Sequence, residues 1–224
     1  PLVLGIDDFE RDADTGEERF YNSAAFVPVD DSAPVVYRKC RLVMFGEYIP
    51  FGDLLGRIGL RGMAAQFGSG FSSGPGADLM DLGPLGQALP LICYEAVFAR
   101  DVNAAPARPA FLMQLTNDAW FGKGQGPLQH LAQARMRAIE QGLPMARVAN
   151  TGVSAMIDPW GRITKSLALN EAGFLDAPLP APRPATPYSR WGEWPFLFIT
   201  LAGFALVILR RRRNLKFDQR GRQS

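Results

Sequence analysis

Four side chains along this sequence are of types that together perform nucleophilic acyl chemistry: Lys39, Glu47, Cys93 and Glu95. Cys93 lies in LGQALPLICYEAVFAR, Leu85 to Arg100. The apolar run Ala88 to Ile92 predicts a short buried strand ending at the cysteine, with Pro90 tolerable near its start. Glu95 to Arg100 can form a helix directly afterwards. A thiol at a strand-to-helix turn is held in one place and exposed at the sheet edge. Neighbouring backbone N–H groups can then face a developing oxyanion. Taken alone, such a cysteine is more often a buried structural residue. Lys39 bears on the choice. In an alternating strand it points away from the face of Cys40, so Cys40 is not paired with Cys93. A lysine facing inward needs a carboxylate or an anion, and Glu47 and Glu95 are the candidates. An ammonium near Cys93 would lower the thiol pKa and stabilise an oxyanion. An exposed Lys39 is the plainer alternative.

The elements that must position these groups follow from pattern. Leu2–Ile6 and Ser23–Val27 read as strands, with a polar loop DDFERDADTGEERFYN between them. Val35–Phe45 reads as a strand followed by extended chain. A short helical pattern surrounds Leu54–Ile58. Gly62–Pro84, rich in Gly, Ser and Pro, is a long loop: either a lid whose apolar residues meet lipid or a plain flexible connection. Ala110–Thr116 is a strand running into the turn-rich NDAWFG. Pro127–Gln141 is the clearest helix, with Pro127 suited to its first turn and Gly142 to its cap. Met145–Asn150 and Val153–Ile157 are strands, and Asp158-Pro159-Trp160-Gly161 is a turn leading to Arg162–Ser166. Strands alternating with helices, plus hairpins, indicate an α/β sandwich class.

At 224 residues and 47% hydrophobic, the chain suffices for one substantial core plus appendages. The net charge of +2 conceals an asymmetry: Arg210–Ser224 holds seven Arg or Lys and one Asp, which leaves −4 on the rest. The basicity is a C-terminal tail, so the globular part presents no nucleic-acid face. Cys40 and Cys93 provide neither a disulfide framework nor zinc spacing, and the single histidine, His130, excludes multi-histidine metal sites. No cofactor or metal is expected. His130, on the predicted 127–141 helix, reads as a satisfied structural histidine ahead of a catalytic one.

Residues 177–190 form a Pro-rich linker. The stretch from Trp191 to Leu209 follows, about 28 Å long as a helix, with Trp191 and Trp194 as interface anchors and Arg210–Arg213 marking the cytoplasmic end. The expected organisation is a domain over 1–176, the linker, a transmembrane helix over 191–210 and a basic cytoplasmic tail over 211–224. The domain then lies on the extracytoplasmic side. A buried core helix is the alternative. The chain opens inside a strand-like run, PLVLGID, and is expected to be the later portion of a longer protein.

Four blocks in order, YRKCRLVMFGEYIPF, LICYEAVF, LTNDAWFGKGQGPLQHLAQARMRAIEQGLP and ANTGVSAMIDPWGRI, resemble the signature blocks of the nitrilase superfamily. With the trailing PYSRWGEWP and a membrane helix, they resemble its membrane-bound, lipoprotein-modifying branch. The resemblance implies an α-β-β-α four-layer sandwich, here partial. It implies Cys93 as nucleophile, Lys39 as catalytic lysine, Glu47 as a further essential glutamate, and Tyr94 and Glu95 as support for the oxyanion site. The family's general-base glutamate precedes these blocks, and Glu10, Glu17 and Glu18 lack its context. The base is therefore expected upstream of Pro1, and this stretch alone is expected to be inactive. The implied activity is acyl transfer in a bacterial inner membrane, from a phospholipid through a Cys93 thioester to the α-amine of a diacylglyceryl-modified apolipoprotein. Trp120, Phe121 and Asn117 are candidates for the substrate pocket, with core packing and turn hydrogen bonds as their ordinary roles. A membrane-tethered amidase acting on small C–N bonds and a non-catalytic membrane-anchored interaction module are the alternatives.

Overall fold

A computed structural model describes residues 1–14, 16–30, 32–50 and 70–221, with side chains described as far as Arg211. The helical pattern around 54–58 and the first part of the 62–84 loop lie outside the described residues. The chain divides into two compact units, Pro1–Ala185 and Thr186–Ser224.

The first unit opens on a hairpin. Strand β1 (Leu2–Arg11) pairs antiparallel with β2 (Glu18–Val27), and β2 with β3 (Val35–Arg38), making a three-stranded sheet. The polar residues expected to form a loop between shorter strands instead continue them, in register out to Arg11↔Glu18. Cross-strand contacts explain the extension. Phe9 meets Phe20, and Arg38 donates to Asp8 at 2.8 Å while lying over the Tyr21 ring. Polarity placed these residues at the surface; it did not end the strands.

The second sheet has six strands in sequence order: β4 (Met80–Asp81), β5 (Gln87–Ile92), β6 (Phe111–Asn117), β7 (Met145–Asn150), β8 (Ser154–Ile157) and β9 (Ile163–Leu167). Strands β5, β6 and β7 are parallel, and the outer pairings are antiparallel. Period-2 alternation distributes their side chains to two faces. Ala88, Ile92, Phe111 and Met113 meet Ala24 and Tyr37 of the first sheet. Leu89, Leu91, Leu112 and Met145 pack with Leu131, Ala134 and Ala138 of helix α2 (Gly126–Gln141). The described layers are thus sheet, sheet and helix, an α/β sandwich as expected. Helix α2 has Pro127 in its first turn and closes at Gly142, whose φ of 62° is left-handed.

The helix expected over 95–100 is divided. A 3-10 turn covers Cys93–Val97, Phe98 is extended, and helix α1 covers Ala99–Asn103. The break lets Glu95 turn back into the core.

In the second unit, helix α3 (Pro187–Trp191) is capped by the Thr186 hydroxyl, which accepts the Ser189 N–H at 3.0 Å. Gly192, with φ of 55°, ends it. Helix α4 then runs Trp194–Gly221. Its window Trp194–Arg211 is long and apolar enough to cross a membrane, and none of that window is buried. Trp191 belongs to the preceding helix, because only a left-handed residue at Gly192 allows the chain to turn between the two.

Candidate active site

The site forms where the parallel strands β5 and β6 end and the chain after β3 crosses them. That location suits an α/β sheet, whose strand ends leave backbone groups free to face a ligand. Glu95 joins the pieces. It is buried, and its carboxylate accepts the Ile92 N–H at 2.8 Å, the Cys40 N–H at 2.8 Å, the Arg41 N–H at 3.2 Å and the Tyr37 hydroxyl at 3.0 Å. One side chain therefore ties the turn carrying Cys93 to the chain carrying Lys39. Its charge offsets its burial through these four donors.

Lys39 is 1% exposed. It follows β3, and its backbone N–H donates to Asn22 O at 2.9 Å. Its ammonium lies 2.7 Å from both carboxylate oxygens of Glu47. Glu47 also accepts the Asn22 amide and the Val43 N–H, each at 2.8 Å. The inward lysine and its carboxylate are thus both present, and Glu47 is fully engaged in holding the ammonium. Cys40 is turned to a different environment, where burial and then Glu95 push its thiol up to about 11.

Cys93 has φ of 49°, a left-handed value for a β-carbon-bearing residue. Strain of this kind costs about 1–3 kcal/mol and persists only where the surroundings hold it. Here the Ile92 N–H is fixed by Glu95 on one side. On the other, the Cys93 carbonyl faces Gln114 Nε2 at 3.2 Å and His130 Nε2 at 3.0 Å. Burial raises the thiol above the ordinary cysteine value; Thr116 and the Lys39 charge pull it down, while Glu47 and Asp118 push it up. The resting thiol is therefore protonated at neutral pH and needs a proton acceptor before it can act.

Behind the Cys93 turn lies a buried polar group that the sequence did not reveal as a unit. Asp118 accepts from Thr116 at 3.0 Å, pairs with His130 Nδ1 at 2.9 Å and accepts Arg147 Nη2 at 2.5 Å. Arg147 Nη1 donates to Gln114 Oε1, and Arg147 Nε donates to Val153 O at 3.2 Å. Burial raises the Asp118 carboxyl, but His130 and Arg147 outweigh it and hold the group below its ordinary value. The signal for this cluster was an Arg and a Gln inside otherwise apolar strands, MARVAN and FLMQLT. Each demands a buried partner, yet which partner is not written in either strand.

The remaining candidates occupy the end of β6. Asn117 caps the 3-10 turn Asp118–Phe121 by accepting the Ala119 N–H at 3.2 Å, and it also accepts the Asn150 amide. Trp120 is 68% exposed, so it has no part in the core. Phe121 is partly exposed and lies against the His130 ring, 5.2 Å between centroids. Tyr94 is half-buried and edge-on to Phe98. His130 is buried with both ring nitrogens engaged, in agreement with a structural histidine. Among the described residues no cluster suited to a metal ion occurs.

The carbon-nitrogen hydrolase family model matches residues 1–183. The chain belongs to the carbon-nitrogen hydrolase family. This agrees with the nitrilase resemblance of its blocks, since solved structures of that superfamily share the fold. An amidase from Nesterenkonia sp. superposes with a TM-score of 0.51 at 19% identity, covering 76% of this chain and 58% of the amidase. A carbon-nitrogen hydrolase from Helicobacter pylori gives 0.52 at 18% identity, covering 76% and 59%. Curated relatives are nearer in sequence. The apolipoprotein N-acyltransferase of Rhodopseudomonas palustris is 48% identical over 87% of this chain and 36% of its own length. That of Brucella melitensis is 41% identical over 95% of this chain and 40% of its own. The chain thus spans about two fifths of the length of these relatives.

Proposed function

We propose that this chain carries the nucleophile of a membrane-bound N-acyltransferase. Cys93 attacks the ester carbonyl of a phospholipid acyl chain. Lys39 and the backbone N–H of Tyr94 hold the oxyanion that develops, as preorganised donors in a buried site. The tetrahedral intermediate collapses, lysophospholipid leaves, and the acyl group remains on Cys93 as a thioester. The α-amine of a diacylglyceryl-modified apolipoprotein cysteine then attacks, forming the amide and releasing the thiol. Thiolate suits both halves, being a good nucleophile and a good leaving group.

The observation carrying this reading is the fixed triangle of Lys39, Glu47 and the strained Cys93 turn, joined through Glu95. Relatives named apolipoprotein N-acyltransferase support N-acyl transfer to an apolipoprotein. Glu47 acts here as the partner that keeps Lys39 charged and aimed. Glu47 and Asp118, the carboxylates acting on the thiol, are both paired with cations. The family resemblance implies a separate general-base carboxylate that takes the thiol proton and returns it to the lysophospholipid oxygen as that group leaves. Helix α4 anchors the domain on the extracytoplasmic face of a bacterial inner membrane, with the arginines after Leu209 in the cytoplasm. There both lipid substrates are reached in the bilayer, and the exposed Trp120 and Phe121 offer apolar surface to an acyl chain.

The test is intact mass of the full-length protein after incubation with phospholipid vesicles. An acyl-sized adduct is expected on Cys93, removed by a diacylated lipopeptide with a free N-terminus and absent from Cys93→Ala. An unmodified Cys93 together with turnover of small amides would establish the amidase reading instead. A protein inert toward both substrates would point to the interaction module.

A further inference from the structure

The carbonyl of Cys93 is held by side chains that take no part in the chemistry above. Gln114 Nε2 lies 3.2 Å from this oxygen and His130 Nε2 lies 3.0 Å from it. The two nitrogens are 3.1 Å apart. Both side chains are themselves held. Gln114 offers its Oε1 to Arg147, which orients its amide so that Nε2 faces Cys93. His130 places Nδ1 on the Asp118 carboxylate, and Asp118 is in turn paired with Arg147. All four side chains are buried.

Peptide planarity makes this grip consequential. The peptide joining Cys93 to Tyr94 is trans, so its C=O and N–H point in opposite directions. Fixing the carbonyl toward Gln114 and His130 fixes the Tyr94 N–H on the opposite side, away from the helix layer. We infer that Gln114 and His130, braced by Asp118 and Arg147, are positioning residues that set the oxyanion hole by orienting the Cys93–Tyr94 peptide plane. The inference rests on the oxyanion role of the Tyr94 N–H in the proposed mechanism. Neither side chain contacts substrate. When the imidazole carries a proton on both nitrogens, Nε2 donates to the carbonyl directly. In the neutral ring whose Nδ1–H donates to Asp118, Nε2 is an acceptor, takes a hydrogen from Gln114 and so orients that amide beside the carbonyl. The Cys93 φ of 49° is the strain this grip sustains.

Two reactions of the same thiol separate positioning from a general effect. Acylation by p-nitrophenyl butyrate passes through an oxyanion, whereas alkylation by iodoacetamide does not. In full-length protein, His130→Ala and Gln114→Leu should slow acylation about a hundredfold, the loss typical of one oxyanion donor. Alkylation should change by less than about threefold by the same reasoning. His130→Gln, which loses the Asp118 contact but returns an amide donor near the carbonyl, should recover most of the acylation rate. Circular dichroism melts verify that each variant is folded. Equal losses in acylation and alkylation, acylation at the wild-type rate, or equal impairment of His130→Ala and His130→Gln would overturn the inference. A wild-type enzyme acylated by p-nitrophenyl butyrate but never by phospholipid would overturn the phospholipid reading and leave the positioning role standing. A wild-type enzyme acylated by neither would overturn both.

Discussion

The carboxylate of Glu95 accepts the backbone N–H of Cys40 at 2.8 Å. These residues flank the two groups proposed to react: Glu95 is two positions after Cys93, and Cys40 is one position after Lys39. The bond joins the turn after β5 to the chain after β3 and sets where the lysine-bearing chain passes Cys93. A residue resembling a catalytic acid is therefore a brace, saturated by four donors.

Glu95→Gln keeps the shape but replaces one acceptor oxygen with a donor. At least one of the Ile92, Cys40 and Arg41 N–H groups is then left facing an N–H. An unsatisfied buried donor costs about 1–3 kcal/mol, which lowers the melting temperature by about 2–4 °C per kcal/mol for a domain of this size. Acyl-enzyme formation should fall further than stability accounts for, because the brace spans the site. A melt in detergent and intact mass check the two parts.

Glu47→Gln leaves the Lys39 ammonium buried without its counter-charge. Breaking such a pair from one side costs about 3–5 kcal/mol. Lys39→Met should destabilise less, since the partly exposed Glu47 regains water. Both variants should lose acyl transfer. The order of their denaturant midpoints is the measurement, and equal midpoints would show that the pair is not desolvated.

Burial places the Cys93 thiol above the ordinary cysteine value, with Thr116 and Lys39 opposing and Glu47 and Asp118 adding to the rise. The rate of iodoacetamide alkylation should therefore climb with pH later than for free cysteine. Removing the Lys39 charge with Met moves the profile further upward. Removing the Glu47 charge with Gln moves it downward. A profile lying below that of free cysteine would mean that a cation dominates the site.

Against the opposing effect of burial, His130 and Arg147 hold the Asp118 carboxyl below the ordinary aspartate value in the native state. A depressed carboxyl stabilises the fold fully above its unfolded value, and that contribution is lost as pH falls through the native value. Asp118→Asn should therefore flatten the acid limb of the stability profile below pH 4, while costing about 3–5 kcal/mol at neutral pH by stranding Arg147. Gly152 guards the same pair, since a β-carbon there would come within 2.3 Å of Asp118 Oδ2. Gly152→Ala should reproduce much of that loss without removing any charge. Urea titrations at pH 7 and well below pH 4 distinguish the two.

Gly203 lies midway along the Trp194–Arg211 window. An arginine at that depth costs about 2.5–3.5 kcal/mol of insertion free energy. Gly203→Arg should shift protein from the membrane to the soluble or degraded fraction, whereas Gly221→Arg, beyond that window, should not. Equal fractionation would show that the helix does not cross the bilayer.

The sequence by itself determined most elements and singled out the candidate groups for the proposed reaction. Apolar strand-like runs located β5, β6 and β7, and Pro127 and Gly142 framed α2. Block order named Cys93, Lys39 and Glu47. Local pattern failed where long-range contacts outweighed it. The polar residues of β1 and β2 are strand because Phe9 faces Phe20 and Arg38 reaches Asp8. The helix after Cys93 is broken because Glu95 must return to Ile92 and Cys40.

Only the tertiary structure decided what each carboxylate does. Glu47, Glu95 and Asp118 are chemically similar in sequence, yet one holds an ammonium, one ties two segments together, and one braces a buried His–Arg pair. A charged group's role is set by the donors that surround it after burial. Those donors come from β2, from β3 and the chain after it, and from β5, β6, α2 and β7, brought together only when the sheets and helix close on one another.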